Sequence, residues 1–277
     1  MYFLKNTKQT SQRGENVEDI KAFILDVDGV VCRGSKPIPE GVEGVKKLME
    51  FGKKVVFVSN NSTRSRKMLV ERFRSFGLDV SEEMLIVATH ATATYIKRNY
   101  GELNIFTTGE KGLIEELEEM GHKITDYDRA ECLVVASNRK LNYDLMTKAL
   151  RCCMTAKKYV ATNPDRIFPG WDGPIPGTGM IIGALYWMTG RMPDAVIGKP
   201  SEIIMREALD RLGCRAEEVV VVGDQVEVDI VAGKRVGCKT ALVLSGVTKK
   251  ENFKTAIKQV SPDFVFDNLS CLLDSYI

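Results

Sequence analysis

Four consecutive valines, Val219 to Val222, run straight into Gly223-Asp224. β-Branched side chains are stiff at χ1 and favour extended backbone. A strand with no polar alternation has no side to turn toward water, so it must be covered on both faces. Short runs of the same kind recur. Ile20 to Leu25 ends in Asp26-Val27-Asp28-Gly29, and Val55 to Val58 ends in Ser59-Asn60-Asn61-Ser62-Thr63. Leu85 to Val87, Ala241 to Leu244 and Phe264 to Phe266 complete the set. Between them lie segments with helical spacing, several stopped by glycine: Glu40 to Phe51 before Gly52, Lys67 to Phe76 before Gly77, and Ile203 to Leu212 before Gly213. Val226 to Arg235 is read as a further helix.

Buried strands alternating with helices predict an α/β fold, a Rossmann-like doubly wound parallel sheet with helices on both faces. The middle of the chain repeats the style. Strand-like segments at Asn104 to Phe106, Leu133 to Ala136 and Tyr159 to Ala161 accompany helices at Gly112 to Met120 and Tyr143 to Thr155. The expected organisation is a discontinuous core domain (20–89 and 193–277), an inserted α/β domain (90–192), and a polar extension (1–19). Gly177-Thr178-Gly179 is read as the hinge where the insertion returns to the core.

Composition excludes several function classes. Lys plus Arg is 39 and Asp plus Glu is 37, so the net charge of +2 gives no reason to expect a nucleic-acid partner. The longest helix-like apolar run, Met180 to Met188, is far shorter than the ~20 residues that span a bilayer. The first 19 residues contain no apolar h-region, and the expectation is a cytoplasmic, soluble protein without a membrane partner. The seven cysteines have irregular spacing with no Cys-x-x-Cys, which argues against a zinc site or disulfide framework. Cys152-Cys153 is read as core packing. The only histidines, His90 and His122, leave little for a His-based triad, and each is read as a polar residue on a helix surface.

The chemistry-bearing residues sit where the predicted strands end, the place at which open α/β sheets bind ligands. Asp26 and Asp28 would be costly there without a cation or proton between them. Mg²⁺, a hard ion that takes oxygen ligands, suits the pair. A solvated Asp-rich turn is the other reading of this segment alone. An EF-hand is excluded, because Val30 stands where a third ligand is needed. Ser59, Asn60 and Asn61 suit phosphate oxygens, although such residues also simply cap helices. Lys199, between Gly198 and Pro200, offers a fixed positive charge. Asp224 and Asp229 add carboxylates after the valine strand. Together these are the parts of a phosphoryl-transfer site: metal, nucleophile and charge clamp.

DVDGV, VSNNST, GKP and GDQVEVD, in that order, resemble the four motifs of the haloacid dehalogenase-like phosphatases. ATNPDRIFP, GPIPGTG and GKPS resemble the para-nitrophenylphosphatase (NagD-like) branch, which carries a large α/β cap between the second and third motifs. The resemblance spans the chain from about Ile20 to its end. It implies Asp26 as the nucleophile that forms an aspartyl-phosphate, and Asp28 as the acid and base. It implies Mg²⁺ held by Asp26, the backbone carbonyl of Asp28 and Asp224, with Asp229 behind. Ser59 and Asn60 would bind the phosphoryl oxygens, with Asn61 beside them, and Lys199 would offset negative charge. Asp28 also separates phosphatases from dehalogenating relatives, whose halide needs no proton.

The expected substrate is a small phosphorylated metabolite, with a homodimer as the family's usual assembly. Cap residues Asn138 and Arg139 replace the aromatic–Asp pair common in the branch, and Gln225 and Val228 depart from its usual residues without removing a metal ligand. Asn163, Asp165 and Arg166, with Trp171, are expected to close over the site. A phosphotransferase or mutase acting on sugar phosphates is the competing enzymatic reading. A phosphate-ligand sensor without turnover is the non-enzymatic one.

Overall fold

A computed structural model describes residues 20–169, 173–257 and 260–276. The extension expected over 1–19, and Trp171, lie outside the described residues. Six strands form the core sheet, in the order Phe264–Phe266, Lys239–Val243, Val219–Gly223, Ala22–Leu25, Lys54–Ser59 and Leu85–Val87. All are parallel. Ala22–Leu25 lies between Val219–Gly223 and Lys54–Ser59, with Leu25 level with Val222 on one side and Phe57 on the other. The chain winds outward in both directions from this central strand, which makes its carboxyl end a topological switch point.

The two-residue period of a strand explains why these runs are apolar throughout. Phe23 and Leu25 face a layer formed with Val45, Leu48, Phe73 and Leu272, while Ala22 and Ile24 face another with Ala91, Ile96, Ile204 and Ala208. Helices Pro39–Glu50, Arg66–Ser75 and Leu269–Tyr276 cover the first face. Ala88–Tyr100 and Glu202–Leu212 cover the second.

A second parallel sheet has the order Ala195–Val196, Lys158–Ala161, Cys132–Val135, Asn104–Thr107 and Lys123–Ile124. It reaches past residue 192 to take in Ala195–Val196, a run too short to declare its sheet from sequence. Its outer face packs on helices Tyr143–Thr155 and Thr178–Thr189, with Cys152 and Cys153 both buried there. Its inner face joins the second layer of the core sheet: Ile105, Leu113, Cys132, Val134 and Val160 pack in one cluster with Ile24, Val56 and Val221.

Three local features go beyond the sequence reading. Gly177-Thr178-Gly179, expected as a hinge, stands at a helix start. It opens the helix Thr178–Thr189, and a Cβ on Gly177 would fall 2.1 Å from the carbonyl oxygen of Asp165, so only bare backbone fits. The loop before it carries an antiparallel ribbon, Ile167–Pro169 with Pro174–Pro176. Val226 to Arg235 begins with a π-helical turn, Val226–Ile230, before the α-helix Val231–Arg235.

The histidines are buried, not on a helix surface. The first two turns of helix Ala88–Tyr100 pack between the two sheets, so Thr89, His90, Thr92 and Thr94 are buried. His122 reaches the Ala93 carbonyl through Nε2 at 3.1 Å. The His90 ring Nδ1 lies 3.0 Å from Glu116 Oε2. An ionised carboxylate can only accept, so Nδ1 carries the hydrogen. Glu116 also accepts from the backbone amide of Arg66 at 2.6 Å and from its guanidinium at 3.1 Å. Burial pushes the pKa of Glu116 up, but these bonds outweigh it and the net shift is downward.

The fold therefore stabilises the ionised form of Glu116. That contribution is present above the ordinary Glu value of about 4.3 and is lost as pH falls through the lower folded value. Glu116→Gln should destabilise the protein by about 1–3 kcal/mol at pH 7, because three donors lose a charged acceptor. Urea unfolding at pH 7 and pH 4 should also show a smaller acid loss in the variant than in the wild type.

Candidate active site

The register of the central strands brings three chain segments to one edge. Asp26 follows Leu25 and donates its amide to Val222 at 2.9 Å. Ser59 and Asn60 end the neighbouring strand, and Asp224 follows Gly223 on the other side. Lys199 arrives from the turn after the second sheet and projects into the gap, 2% exposed. Its ammonium donates to Asp26 Oδ1 at 2.5 Å, Asp229 Oδ1 at 2.7 Å and the Val58 carbonyl at 3.0 Å. All three ammonium hydrogens are thereby used.

The charge at this edge does not balance. The carboxylates of Asp26, Asp224 and Asp229 lie within 4.8 Å of one another, all buried. Lys199 supplies the one cation bonded to any of them among the described residues. Burial pushes the Asp26 carboxyl well above its ordinary range, Lys199 opposes, and Asp229 and Asp224 add to the rise. Burial, then Asp229, raises Asp224 to about 7. Burial alone would lower Lys199, but Asp229 and Asp26 outweigh it and hold the ammonium charged.

Asp224 carries the sharper sign. Its Oδ2 accepts from the Val247 amide, while its Oδ1 is buried with no hydrogen-bond partner. Bare backbone closes around it: a Cβ on Gly246 would fall 1.8 Å from Asp224 Oδ2, and one on Gly29 would fall 2.4 Å from the Asp224 carboxyl carbon. Gly223 is packed as closely against Asp229. An orphaned oxygen in an all-oxygen cluster with excess negative charge fits a hard divalent cation. Asp229 supports this arrangement from behind, since its Oδ2 accepts the amides of Asp224 at 3.2 Å and Gln225 at 3.0 Å. These bonds hold the π-helical turn, a feature often found at functional sites.

The other candidate residues divide into those at this edge and those apart from it. Ser59 is buried and its Oγ accepts from the Asn61 amide at 3.1 Å. The Asn61 side-chain oxygen is taken up by a turn, accepting from the Thr63 and Arg64 amides at 3.1 and 2.9 Å. Asn60 donates to the Lys199 carbonyl at 2.9 Å and to Asp165 Oδ1 at 3.0 Å. Asn163 donates to the Asn60 carbonyl at 2.8 Å. The loop carrying Asn163 and Asp165 thus docks onto Asn60, and burial raises the Asp165 carboxyl to about 6.

Arg166 is exposed and pairs with Glu227 at 3.4 Å, at the rim. Asn138 donates to the Thr108 carbonyl at 2.8 Å, tying two loops of the second sheet, and the exposed Arg139 follows it. The Asp28 carboxylate lies outside the cluster. Its Oδ1 accepts from the Gly34 amide at 3.2 Å and Arg72 Nη2 at 3.4 Å. Sequence reasoning missed Arg72 and the Gly246-Val247 loop. The loop follows the strand Lys239–Val243 at the same edge, so the strand-end rule could have found it; Arg72 sits mid-helix with no local signal.

Residues 23–123 match a family described as haloacid dehalogenase-like hydrolase, and residues 196–272 match the HAD-hydrolase-like family. The chain belongs to the haloacid dehalogenase-like hydrolases. A solved p-nitrophenyl phosphatase from Archaeoglobus fulgidus is 62% identical, with a TM-score of 0.90 over 93% of this chain and 99% of that one. The ribonucleotide monophosphatase NagD of Escherichia coli is 34% identical over 84% of this chain and 91% of its own length. The sugar-phosphatase AraL of Bacillus subtilis is 32% identical, over 89% and 90% respectively. Within the family this hydrolase is a phosphatase of the NagD-like, p-nitrophenylphosphatase branch.

Lys199→Met tests the electrostatic picture of this hydrolase. Removing one partner of a buried ion pair typically costs about 3–5 kcal/mol, and here both Asp26 and Asp229 lose their cation. Chemical denaturation at pH 7 should show a loss of at least about 3 kcal/mol.

Proposed function

We propose that this phosphatase hydrolyses small phosphorylated metabolites through an aspartyl-phosphate on Asp26, with Mg²⁺ as cofactor. The carrying observation is the buried set of Asp26, Lys199, Asp224 and Asp229 at the switch point of the sheet. Mg²⁺ would be held by Asp26, Asp224 and the Asp28 backbone carbonyl, and when bound it lowers the negative charge facing an incoming phosphate.

The protein's own groups supply the rest. Two unit charges of like sign ~4 Å apart repel by about 4 kcal/mol at an effective dielectric near 20, and Lys199 offsets that for Asp26 and phosphate. Ser59 and the backbone at Asn60 hold the phosphoryl oxygens, since the Asn60 side-chain NH₂ is spent on Lys199 and Asp165. An Asp26 oxygen forms a bond to phosphorus as the ester P–O bond breaks, and Asp28 gives its proton to the departing alkoxide. Asp28 then takes a proton from water as the water oxygen attacks phosphorus. The Asp26–phosphorus bond breaks, releasing inorganic phosphate and restoring the carboxylate. The division into a core (20–89 and 193–277) and a cap (90–192) gives the second sheet the role of covering this edge. Asn163 and Asp165 are its contact to Asn60, and Asn138, Arg139 and Arg166 lie on its loops.

Two further readings accompany this one. None of the seven cysteines is in a disulfide, as expected in a reducing cytoplasm. Helix Thr178–Thr189 is apolar on every side, and Trp187 is 88% exposed with Tyr186, Met180 and Met188 half exposed beside it. Such a helix is normally buried all round, and a second copy of the chain would cover it in a homodimer.

Asp26→Asn should abolish release of inorganic phosphate from p-nitrophenyl phosphate in Mg²⁺ while leaving the thermal unfolding transition cooperative; full turnover by the variant would sink the mechanism. Trp187→Glu should convert a dimer into a monomer in light-scattering measurements of mass, and a wild type that is monomeric at all concentrations would refute the assembly.

A further inference from the structure

Two of the groups assigned to the cation hang from turns beyond the sheet. Asp26 is tied to the neighbouring strand by its amide, which donates to Val222 at 2.9 Å. The strands Ala22–Leu25 and Val219–Gly223 end before Asp28 and Asp224, so strand pairing does not set the spacing of those two. The turn after Asp28 is also inherently loose. Gly29 has a φ of 102°, and a glycine backbone has the most conformational freedom to lose. A cation held between these turns needs them at a fixed separation.

The segment Ser245–Thr248, just past the strand Lys239–Val243, is bonded to both turns. On one side the Val247 amide donates to Asp224 Oδ2, and the Thr248 amide donates to the Asp224 carbonyl at 3.1 Å. On the other side Ser245 Oγ donates to the Gly29 carbonyl at 2.6 Å. Arg33 then closes a ring. Its guanidinium donates to the Ser245 carbonyl from Nε at 3.0 Å, and from Nη2 as well. Arg33 follows Cys32, whose carbonyl accepts the Gly29 amide at 2.7 Å. That amide and the Asp28 carbonyl belong to one planar peptide unit, so holding the amide orients the carbonyl. The Gly29 carbonyl, pinned by Ser245, fixes the next unit. The Asp28 carbonyl and the Asp224 carboxylate are therefore set against each other through one short strap.

We propose that Ser245 is a positioning residue whose strap fixes the spacing between the Asp28 carbonyl and Asp224, and thereby makes the site select Mg²⁺ over Ca²⁺. Mg²⁺ is small and demands near-octahedral ligand placement, whereas Ca²⁺ takes more ligands at longer range in flexible geometry. A rigid spacing favours the first ion, and a loosened one favours the second. The inference rests on the reading of Asp28 and Asp224 as cation ligands.

Calorimetric titration of the full-length protein with MgCl₂ and with CaCl₂, without substrate, tests it. The wild type should bind Mg²⁺ more tightly than Ca²⁺. Ser245→Ala should weaken Mg²⁺ binding by about tenfold, the lower end of the effect of residues that orient a metal ligand. Its Ca²⁺ affinity should fall less, so that the ratio of the two drops. Ser245→Thr, which keeps the hydroxyl, should restore the ratio. Arg33→Gln alters an exposed side chain and opens the same ring from outside. It should move the ratio in the same direction, and it carries the test should Ser245→Ala not fold. An unchanged Mg²⁺ affinity in both variants, or a parallel loss of both ions, overturns the strap while leaving the metal reading intact. A wild type that binds no Mg²⁺ overturns both.

Discussion

The contact of Lys199 with Asp26 and Asp229 is the interaction on which the rest of the site depends. Three carboxylates buried at one strand edge repel one another, and burial penalises each. One ammonium cannot neutralise three charges, but placed between two of them it leaves the third, Asp224, with a free oxygen. The site is thus built with a deficit of positive charge. That deficit favours a cation, which a fully compensated cluster would not attract.

The position of Lys199 in turn depends on how the two sheets meet. Lys199 follows Ala195–Val196, which is hydrogen-bonded into the second sheet, while its ammonium ends against the core sheet at Val58. The apolar layer shared by the two sheets, from Ile24 and Val221 through Ala91 to Val134 and Val160, fixes that span. Close packing leaves such a layer little room to deform, so the lysine is delivered to within hydrogen-bond distance of its partners. The buried His90–Glu116–Arg66 network lies in the same region and joins helices from both sides. These three side chains are tolerated there because each has a partner.

The core sheet was legible because its strands are short, uniformly apolar and ended by chemistry. A strand such as Val219–Gly223 has one stable environment, and Asp26, Ser59 and Asp224 follow from where strands end. Other elements carried too little local signal. Ala195–Val196 and Lys123–Ile124 are two-residue strands that pairing alone defines. The burial of His90 was unreadable because a helix with mixed polarity looks the same whether water or another sheet lies beyond it, and His122 lies past the end of its helix, in a connection whose burial only packing decides. Asn138 and Asn163 were flagged as substrate contacts, yet their amides are engaged with backbone carbonyls, which side-chain type does not reveal.

Sequence by itself determined the fold class and the order of the chemical groups, because hydrophobic periodicity and strand-end position are local properties, while the choice of Asp26 as nucleophile candidate came from the resemblance of its motif to a family. Only the tertiary structure decided which charges balance. That Asp224 keeps an orphaned oxygen and that the Asp28 carboxylate turns to Arg72 and away from the cluster both depend on distances between residues far apart in the chain. Electrostatic energy follows separation and burial, and neither is written in the order of the residues.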